Sequence, residues 1–250
     1  PLSPEDCGPI ARANCPRIEQ VFVDVADAAL AEPADIERAL FLARRATEQA
    51  LARDPACAGF HVVSLSQHTL GYKAMVLPAD LPRFYPDLAR ADLTASAALF
   101  HQRFSTNTAP AWKLAQPFRL LAHNGEINTI EGNRHWSIAR GARWQSERMD
   151  LAQLQPLVAM HGSDSQSLDN MLEALLVGGM DLLQAMRVLI PPATAALEYK
   201  DADLAAFYEY YSLCVDPWDG PAGIVLCDDR YAACTLDRNG LRPARWLLTD

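Results

Sequence analysis

Apolar and polar residues follow two different periods along this chain, and the two periods fall in separate blocks. Alternation with a period of two, or a short apolar run, is typical of strands. These patterns predict strands over 17–25, 60–66, 72–77, 94–104 and 117–125, the second and third of which form a pair. The strand over 117–125 is expected to close in a tight turn at Asn124-Gly125.

Apolar residues spaced three and four apart predict helices between these strands. Pro33 and Asp35 suit the first turn of a helix that ends before Asp54-Pro55. The remaining helical predictions are one turn within the proline-rich 78–86, a helix capped by Asn128 or Thr129 and running to about Trp144, one or two helices over 167–190 broken near Gly178-Gly179, and a helix over 201–215.

The last part of the chain predicts a hairpin around Asp228-Asp229 and a third strand after Asn239-Gly240. Hairpin strands with helices in blocks between them favour antiparallel sheets covered by helices, an α+β architecture, over a βαβ repeat. Residues 1–16 are rich in proline and predict an irregular connecting segment. Residues 17–250 are then expected to form part of one domain.

Composition narrows the possible partners. The 250 residues are 50% hydrophobic and 21% charged, which is ordinary for a globular protein, and the formal net charge of -9 argues against a nucleic-acid partner. No apolar run approaches the ~20 residues that a membrane span needs. The six scattered cysteines contain no CxxC pair, so we expect a reducing compartment, the cytoplasm.

Four polar strings carry the candidate chemistry: HQRFSTN at 101–107, AHNGEIN at 122–128, GSDSQSLDN at 162–170 and DRNGLRP at 237–243. In the first string, the planar fork of Arg103 can bind a carboxylate through two hydrogen bonds, and Thr106 and Asn107 add neutral donors. An ion pair between Arg103 and a surface aspartate is an equally good interpretation of this string alone.

The second and third strings offer the groups for acyl chemistry. The side-chain amide of Asn124 and the backbone N–H of Gly125 can converge on one oxyanion, although Asn-Gly is also a common turn dipeptide. Asp164 can bind an ammonium group, although the string alone favours a helix cap. The histidines show no metal-binding spacing, and we expect no metal site.

Taken in order, the strings resemble the glutaminase domain of the glutamate synthase large subunit, a class II glutamine amidotransferase of the N-terminal-nucleophile hydrolase type. The continuous stretch HQRFSTNTAPAWKLAQPFRLLAHNGEINTIEGNRHW carries the resemblance, and DRNGLRPAR supports it. The resemblance implies an αββα sandwich of antiparallel sheets and helices. Here the sandwich is expected to be incomplete, with its leading strands missing.

The same resemblance implies roles for individual residues. Arg103, Thr106 and Asn107 would hold the α-carboxylate of L-glutamine, and Asp164 its α-ammonium group. Asn124 and Gly125 would form the oxyanion hole. The implied nucleophile is an N-terminal cysteine, but residue 1 is proline. We therefore expect a fragment without its nucleophile, inactive in isolation.

The resemblance also implies what surrounds the domain. FMN and an iron–sulfur cluster would belong to synthase domains further along the same polypeptide, with none in this part, and a small electron-donating subunit is a further candidate partner. The parent enzyme would convert L-glutamine and 2-oxoglutarate to two L-glutamates. NADPH, NADH and ferredoxin stay open as electron donors. Two alternatives also stay open: the glutaminase domain of another class II amidotransferase, and a glutamine-binding module without catalysis.

Overall fold

The computed structural model describes residues 7–25, 32–104, 108–193 and 201–249. Seven helices lie within these ranges: α1 (Pro9–Ala13), α2 (Pro33–Leu51), α3 (Leu81–Phe84), α4 (Ile130–Gly141), α5 (Asp164–Val177), α6 (Leu182–Leu189) and α7 (Ala202–Cys214). The strands found in the same ranges are β1 (Leu121–Gly125), β2 (Ala222–Cys227) and β3 (Ala232–Leu236). This composition confirms an α+β protein.

Two compact units divide the chain. The first contains the described residues up to Phe104 together with Ala109–Arg119, and the second contains Thr108 and the described residues from Leu120 onward. The predicted Thr106 and Asn107 lie outside the described residues.

The first unit has a small core and long connecting segments. Its buried residues Cys7, Ala11, Phe84, Tyr85 and Trp112 pack together with neighbouring partly buried side chains. Helix α2 begins with Pro33 at its first turn, and the proline-rich stretch forms α3 between two short 3-10 turns, so both helical predictions are confirmed. The opening segment, expected to be irregular, contains the short helix α1.

The strands predicted over 17–25, 60–66, 72–77 and 94–104 are wrong for the structure as described, because none of these segments pairs into a sheet. Alternation alone selects which side chains could share a face, but a strand also needs a partner for its backbone groups. Val21, Phe22 and Val23 illustrate this: they are 74%, 85% and 64% exposed.

The second unit is built on a three-stranded antiparallel sheet, counted over the described ranges, in the order β1-β2-β3. The pairing sets His123 opposite Ile224 and Gly125 opposite Ala222. The predicted hairpin around Asp228-Asp229 is confirmed by β2 and β3. The third strand after Gly240 is wrong, because residues 241–249 are not paired.

Helices cover one face of this sheet. Leu121 of β1, and Ala222, Ile224 and Leu226 of β2, are buried with the apolar side chains of α5 and α6. The two helices confirm the predicted pair, with the break at Gly178-Gly179. Helix α7 also forms as predicted, and Asp201 caps it by accepting hydrogen bonds from Asp203 and Leu204.

Candidate functional site

The candidate site in the second unit is built at the end of β1, where the chain leaves the sheet toward α4. The tight turn predicted at Asn124-Gly125 is wrong: both residues belong to β1 and pair with Gly223 and Ala222. The backbone instead turns after them, and the N–H of Glu126 donates to the carbonyl oxygen of Pro221 at 3.1 Å.

Close backbone contact explains the glycine at position 125. A Cβ on Gly125 would lie 1.9 Å from the carbonyl oxygen of Pro221, and its φ of +146° disfavours any side chain. Gly220 has the reciprocal constraint, since its Cβ would lie 2.0 Å from the carbonyl oxygen of Glu126. The segments 125–128 and 219–222 are therefore pressed together at a distance that only glycines permit.

Side chains along β1 alternate between the two faces of the sheet. His123 is buried on the helix-covered face, and Asn124, which follows it, is exposed. Asn124 thus projects from the face of β1 opposite to His123.

Asp164 lies at the first position of α5 and faces β1. Its side chain is 2% exposed, and its Oδ1 lies 3.3 Å from Nε2 of the fully buried His123. The carboxylate also accepts hydrogen bonds from the backbone N–H groups of Ile127 and Ser165, both at 2.8 Å. The helix cap that the string alone favoured for Asp164 is wrong, because Ser163 is the N-cap and accepts from the N–H of Gln166.

These contacts fix the charge of Asp164. Burial alone would raise the pKa of this carboxyl group, but the hydrogen bond and charge of His123 and the two backbone donors lower it to about 2. Asp164 is therefore a buried anion at neutral pH. It is held by the backbone N–H of Ile127, which lies two residues after Gly125.

Arg103 lies in the first unit. It is exposed and outside any strand, and its backbone N–H donates to Nδ1 of His101 at 2.9 Å. Throughout the described part of the chain no carboxylate pairs with its guanidinium, so the surface ion pair weighed as an alternative is not found there.

The sequence prediction missed two polar residues of α4 that support this region. Asn133 donates to the carbonyl oxygen of Pro217 at 3.0 Å, and Arg134 donates to that of Gly162 at 3.0 Å. A signal was present: IEGNRHWSIARG lacks an apolar stripe, so the buried face of α4 has to be polar, and Asn133, Arg134 and Ser137 are its buried side chains.

The string DRNGLRP has a structural role here. Asp237 accepts hydrogen bonds from the N–H groups of Ala222, Asn239, Leu241 and Arg242, so it ties its own loop to the start of β2. Burial opposes ionisation, but these four donors together lower the pKa of Asp237 below its usual value.

Two of the thiols have an environment that opposes nucleophilic reactivity. Burial, followed by the neighbouring Cys7, raises the pKa of Cys15, and burial followed by Asp228 raises that of Cys227. A nucleophilic thiol needs the opposite shift. None of the six cysteines, all of which lie in the described ranges, forms a disulfide. Within the same ranges no three His, Cys, Asp or Glu side chains form a group that could hold a metal ion.

None of the helices in the described ranges combines the length and the apolar character that crossing a membrane requires.

Comparison with known proteins gives a consistent result. A family model for class-II glutamine amidotransferases matches residues 1–250. The chain is 40% identical over its whole length to a ferredoxin-dependent glutamate synthase of Synechocystis and 38% identical to the large chain of the NADPH glutamate synthase of Bacillus subtilis, and it covers 16% of each. Over 76% of its length it is 44% identical to the NADH glutamate synthase of Saccharomyces cerevisiae, of which it covers 9%.

Proposed function

Because this chain belongs to the class-II glutamine amidotransferases, we propose that it is the glutaminase part of a glutamate synthase. In this proposal the chain contributes the glutamine-binding residues to a domain that releases ammonia from L-glutamine, and the complete enzyme combines that ammonia with 2-oxoglutarate to form a second L-glutamate. The chain spans 16% of the length of the first relatives it matches, so the synthase steps are assigned to other parts of the complete protein.

The observation that carries the proposal is the buried anionic Asp164 beside the end of β1. A protein buries a carboxylate only where partners compensate its lost hydration. Here two backbone N–H groups and His123 hold the charge in place. An ionised carboxylate held at a fixed position by backbone donors is suited to bind an α-ammonium group.

We assign the other end of the amino acid to the string 101–107. The guanidinium of Arg103 would hold the α-carboxylate of glutamine through two parallel hydrogen bonds, and Thr106 and Asn107 would add donors. The exposure of Arg103 supports this role, because it leaves the side chain accessible to a ligand.

The amide chemistry follows from the donors at Asn124 and Gly125. When a thiolate adds to the γ-amide carbon of glutamine, the carbonyl oxygen becomes an oxyanion that the Asn124 amide and the Gly125 N–H would stabilise. The C–N bond then breaks, the nitrogen takes a proton, and ammonia leaves a γ-glutamyl thioester. Water cleaves the thioester to give glutamate and the free thiol. None of the six cysteines of this chain is proposed as that nucleophile.

We propose the αββα arrangement of N-terminal-nucleophile hydrolases for the complete domain. The sheet β1-β2-β3 would be part of one β layer, and α5 and α6, which pack on it, part of one helical layer. Residues 1–16 would connect this domain to its surroundings, and residues 17–250 would form part of it.

An iron–sulfur cluster does not fit the described residues of this chain. An iron–sulfur cluster needs several cysteine ligands together, and the described part of the chain offers no such group. We therefore assign the cluster to another domain of the complete protein, and we propose that FMN also binds outside this chain. A small electron-donating subunit is proposed as a further partner. The six cysteines form no disulfide, which favours a reducing compartment such as the cytoplasm.

The test is a balance of products from the complete protein that carries this chain. We expect ammonia release from L-glutamine, and, with 2-oxoglutarate and a reductant, two glutamates for each glutamine consumed. Glutamine hydrolysis without glutamate formation from 2-oxoglutarate would point to another class II amidotransferase. Glutamine binding without hydrolysis would point to a binding module.

A further inference from the structure

We propose that Arg134 is a positioning residue that holds the turn carrying Asp164, and thereby sets how tightly the site binds the ammonium end of its amino-acid substrate. The proposal rests on the glutaminase function proposed above. Arg134 does not touch substrate in this account and acts through the backbone on which Asp164 is mounted.

The guanidinium of Arg134 makes several contacts to the turn before and at the start of α5. Its Nη2 donates to the carbonyl oxygens of Gly162 at 3.0 Å and Ser163 at 3.4 Å, and its Nε donates to Oγ of Ser167 at 3.1 Å. The residue is only 5% exposed. One side chain from α4 therefore fixes the two residues directly before Asp164 and a hydroxyl one helical turn after it.

Ser167 extends this attachment to the preceding loop. Its hydroxyl accepts from Arg134 and donates to the carbonyl oxygen of Ala159 at 2.8 Å. Ser167 is fully buried. The loop 159–163, which leads into Asp164, is thus connected to α4 through the guanidinium of Arg134 and the hydroxyl of Ser167.

The attachment is reciprocal. Asp164 accepts a hydrogen bond from the N–H of Ile127, which lies three residues before the first residue of α4. Arg134 in turn donates from α4 to the turn that bears Asp164. The contacts close a ring between the segment after Gly125 and the turn 162–164, so moving either side displaces the carboxylate.

Arginine is required for this geometry. Its planar fork presents donors in several fixed directions, whereas a lysine has one compact ammonium group and cannot reach two carbonyl oxygens and a hydroxyl together. The acidic partner of Arg134, Glu131, is 73% exposed, so the buried contacts to the turn hold the guanidinium in place.

The experiment compares Arg134→Lys with Arg140→Lys in the complete protein. Both arginines lie on α4, and Arg140 also contacts a backbone carbonyl oxygen and a carboxylate, those of Leu213 and Asp216. We expect both variants to lower the thermal midpoint. Only Arg134→Lys should raise the glutamine KM, by about tenfold, with kcat changed less than about twofold.

A second readout isolates the ammonium contact. L-Glutamate and glutarate differ by the α-ammonium group, so the ratio of their inhibition constants measures what that group contributes to binding. We expect Arg134→Lys to reduce this preference for glutamate by about tenfold, and Ser167→Ala, which removes one acceptor, to reduce it by about threefold. Arg140→Lys should leave it unchanged.

An unchanged KM and an unchanged inhibitor ratio in Arg134→Lys would overturn the proposal while leaving the glutaminase function intact. If Arg134→Lys does not fold, Ser167→Ala decides: an unchanged ratio overturns the proposal and a reduced one supports it. A wild-type protein without glutaminase activity would overturn the glutaminase function, and with it this proposal.

Discussion

Nε2 of His123 lies 3.3 Å from Oδ1 of Asp164, with both side chains almost completely buried. The pair joins the end of β1 to the start of α5, and so links the second and third polar strings of the sequence. Asn124, the next residue along β1, projects from the opposite face of the strand. The backbone from Gly125 to Ile127 therefore links the exposed amide of Asn124 to the buried carboxylate of Asp164, which accepts from the N–H of Ile127.

Asp164 should make the stability of the protein depend on acid pH. Its pKa of about 2 lies below the ordinary 3.8, so its ionisation contributes stability that is fully present above about pH 4. That stability is lost as pH falls toward 2, and the contribution is on the order of 2 kcal/mol.

Chemical denaturation of wild type and Asp164→Asn between pH 2 and 6 checks this prediction. We expect the difference between their unfolding free energies to shrink as the pH falls, because protonation removes the charge of Asp164, which asparagine lacks at every pH. Asparagine also keeps only one of the two oxygens that accept from Ile127 and Ser165. Asp237 also titrates at low pH but is present in both proteins. A difference that stays constant over this range would contradict the account.

Gly125→Ala should destabilise the protein by about 3 kcal/mol or more, because its Cβ would overlap the carbonyl oxygen of Pro221. Gly132→Ala is the matched control: no atom lies within 4 Å of its Cβ, and alanine favours the helix by roughly 0.5–1 kcal/mol. Thermal unfolding of both variants measures the contrast. Equal effects would mean that the close contact at position 125 does not determine stability.

Asn124→Ala should lower the kcat of glutamine hydrolysis by about 10²–10³-fold and change KM far less, because the amide would act on the oxyanion of the transition state. Asn124 is exposed, so the thermal midpoint should hardly move. Asn14→Ala, at an exposed asparagine outside the polar strings, serves as the control. A change confined to KM would place Asn124 in ground-state binding instead.

Arg103→Lys should raise the glutamine KM by about tenfold or more, because a lysine cannot reproduce two parallel hydrogen bonds to a carboxylate. Steady-state ammonia release over a range of glutamine concentrations gives the value. Arg90→Lys, at an exposed arginine paired with Asp92, should behave as wild type. Glutamine kinetics identical to wild type would remove Arg103 from the site.

Local signals predicted the helices and the final hairpin. Pro33 marks the first turn of α2, Asp201 caps α7, and Asp228 and Asp229 lie between β2 and β3. Each of these features acts over a few residues, so one sequence contains the information. Strand pairing is different, because the segment 17–25 has the pattern of a strand and still finds no ladder partner among the described residues.

The sequence predicted which residues belong to the candidate site, but not the contacts that hold them in place. The sequence indicated Asp164 as a candidate ligand, but not that Ser163 takes the cap and leaves the carboxylate for Ile127 and His123. That outcome depends on how α5 packs against β1, which is set by the buried apolar side chains of both elements. The contacts of Arg134 have the same origin.

The most direct test of the account is a structure of the complete protein with L-glutamate bound. We predict that the α-ammonium group contacts the carboxylate of Asp164, that the α-carboxylate contacts the guanidinium of Arg103, and that the γ-carboxylate lies at Asn124 and Gly125. Glutamate bound away from Asp164, or Arg103 directed elsewhere, would contradict the proposal that these strings form one glutamine site.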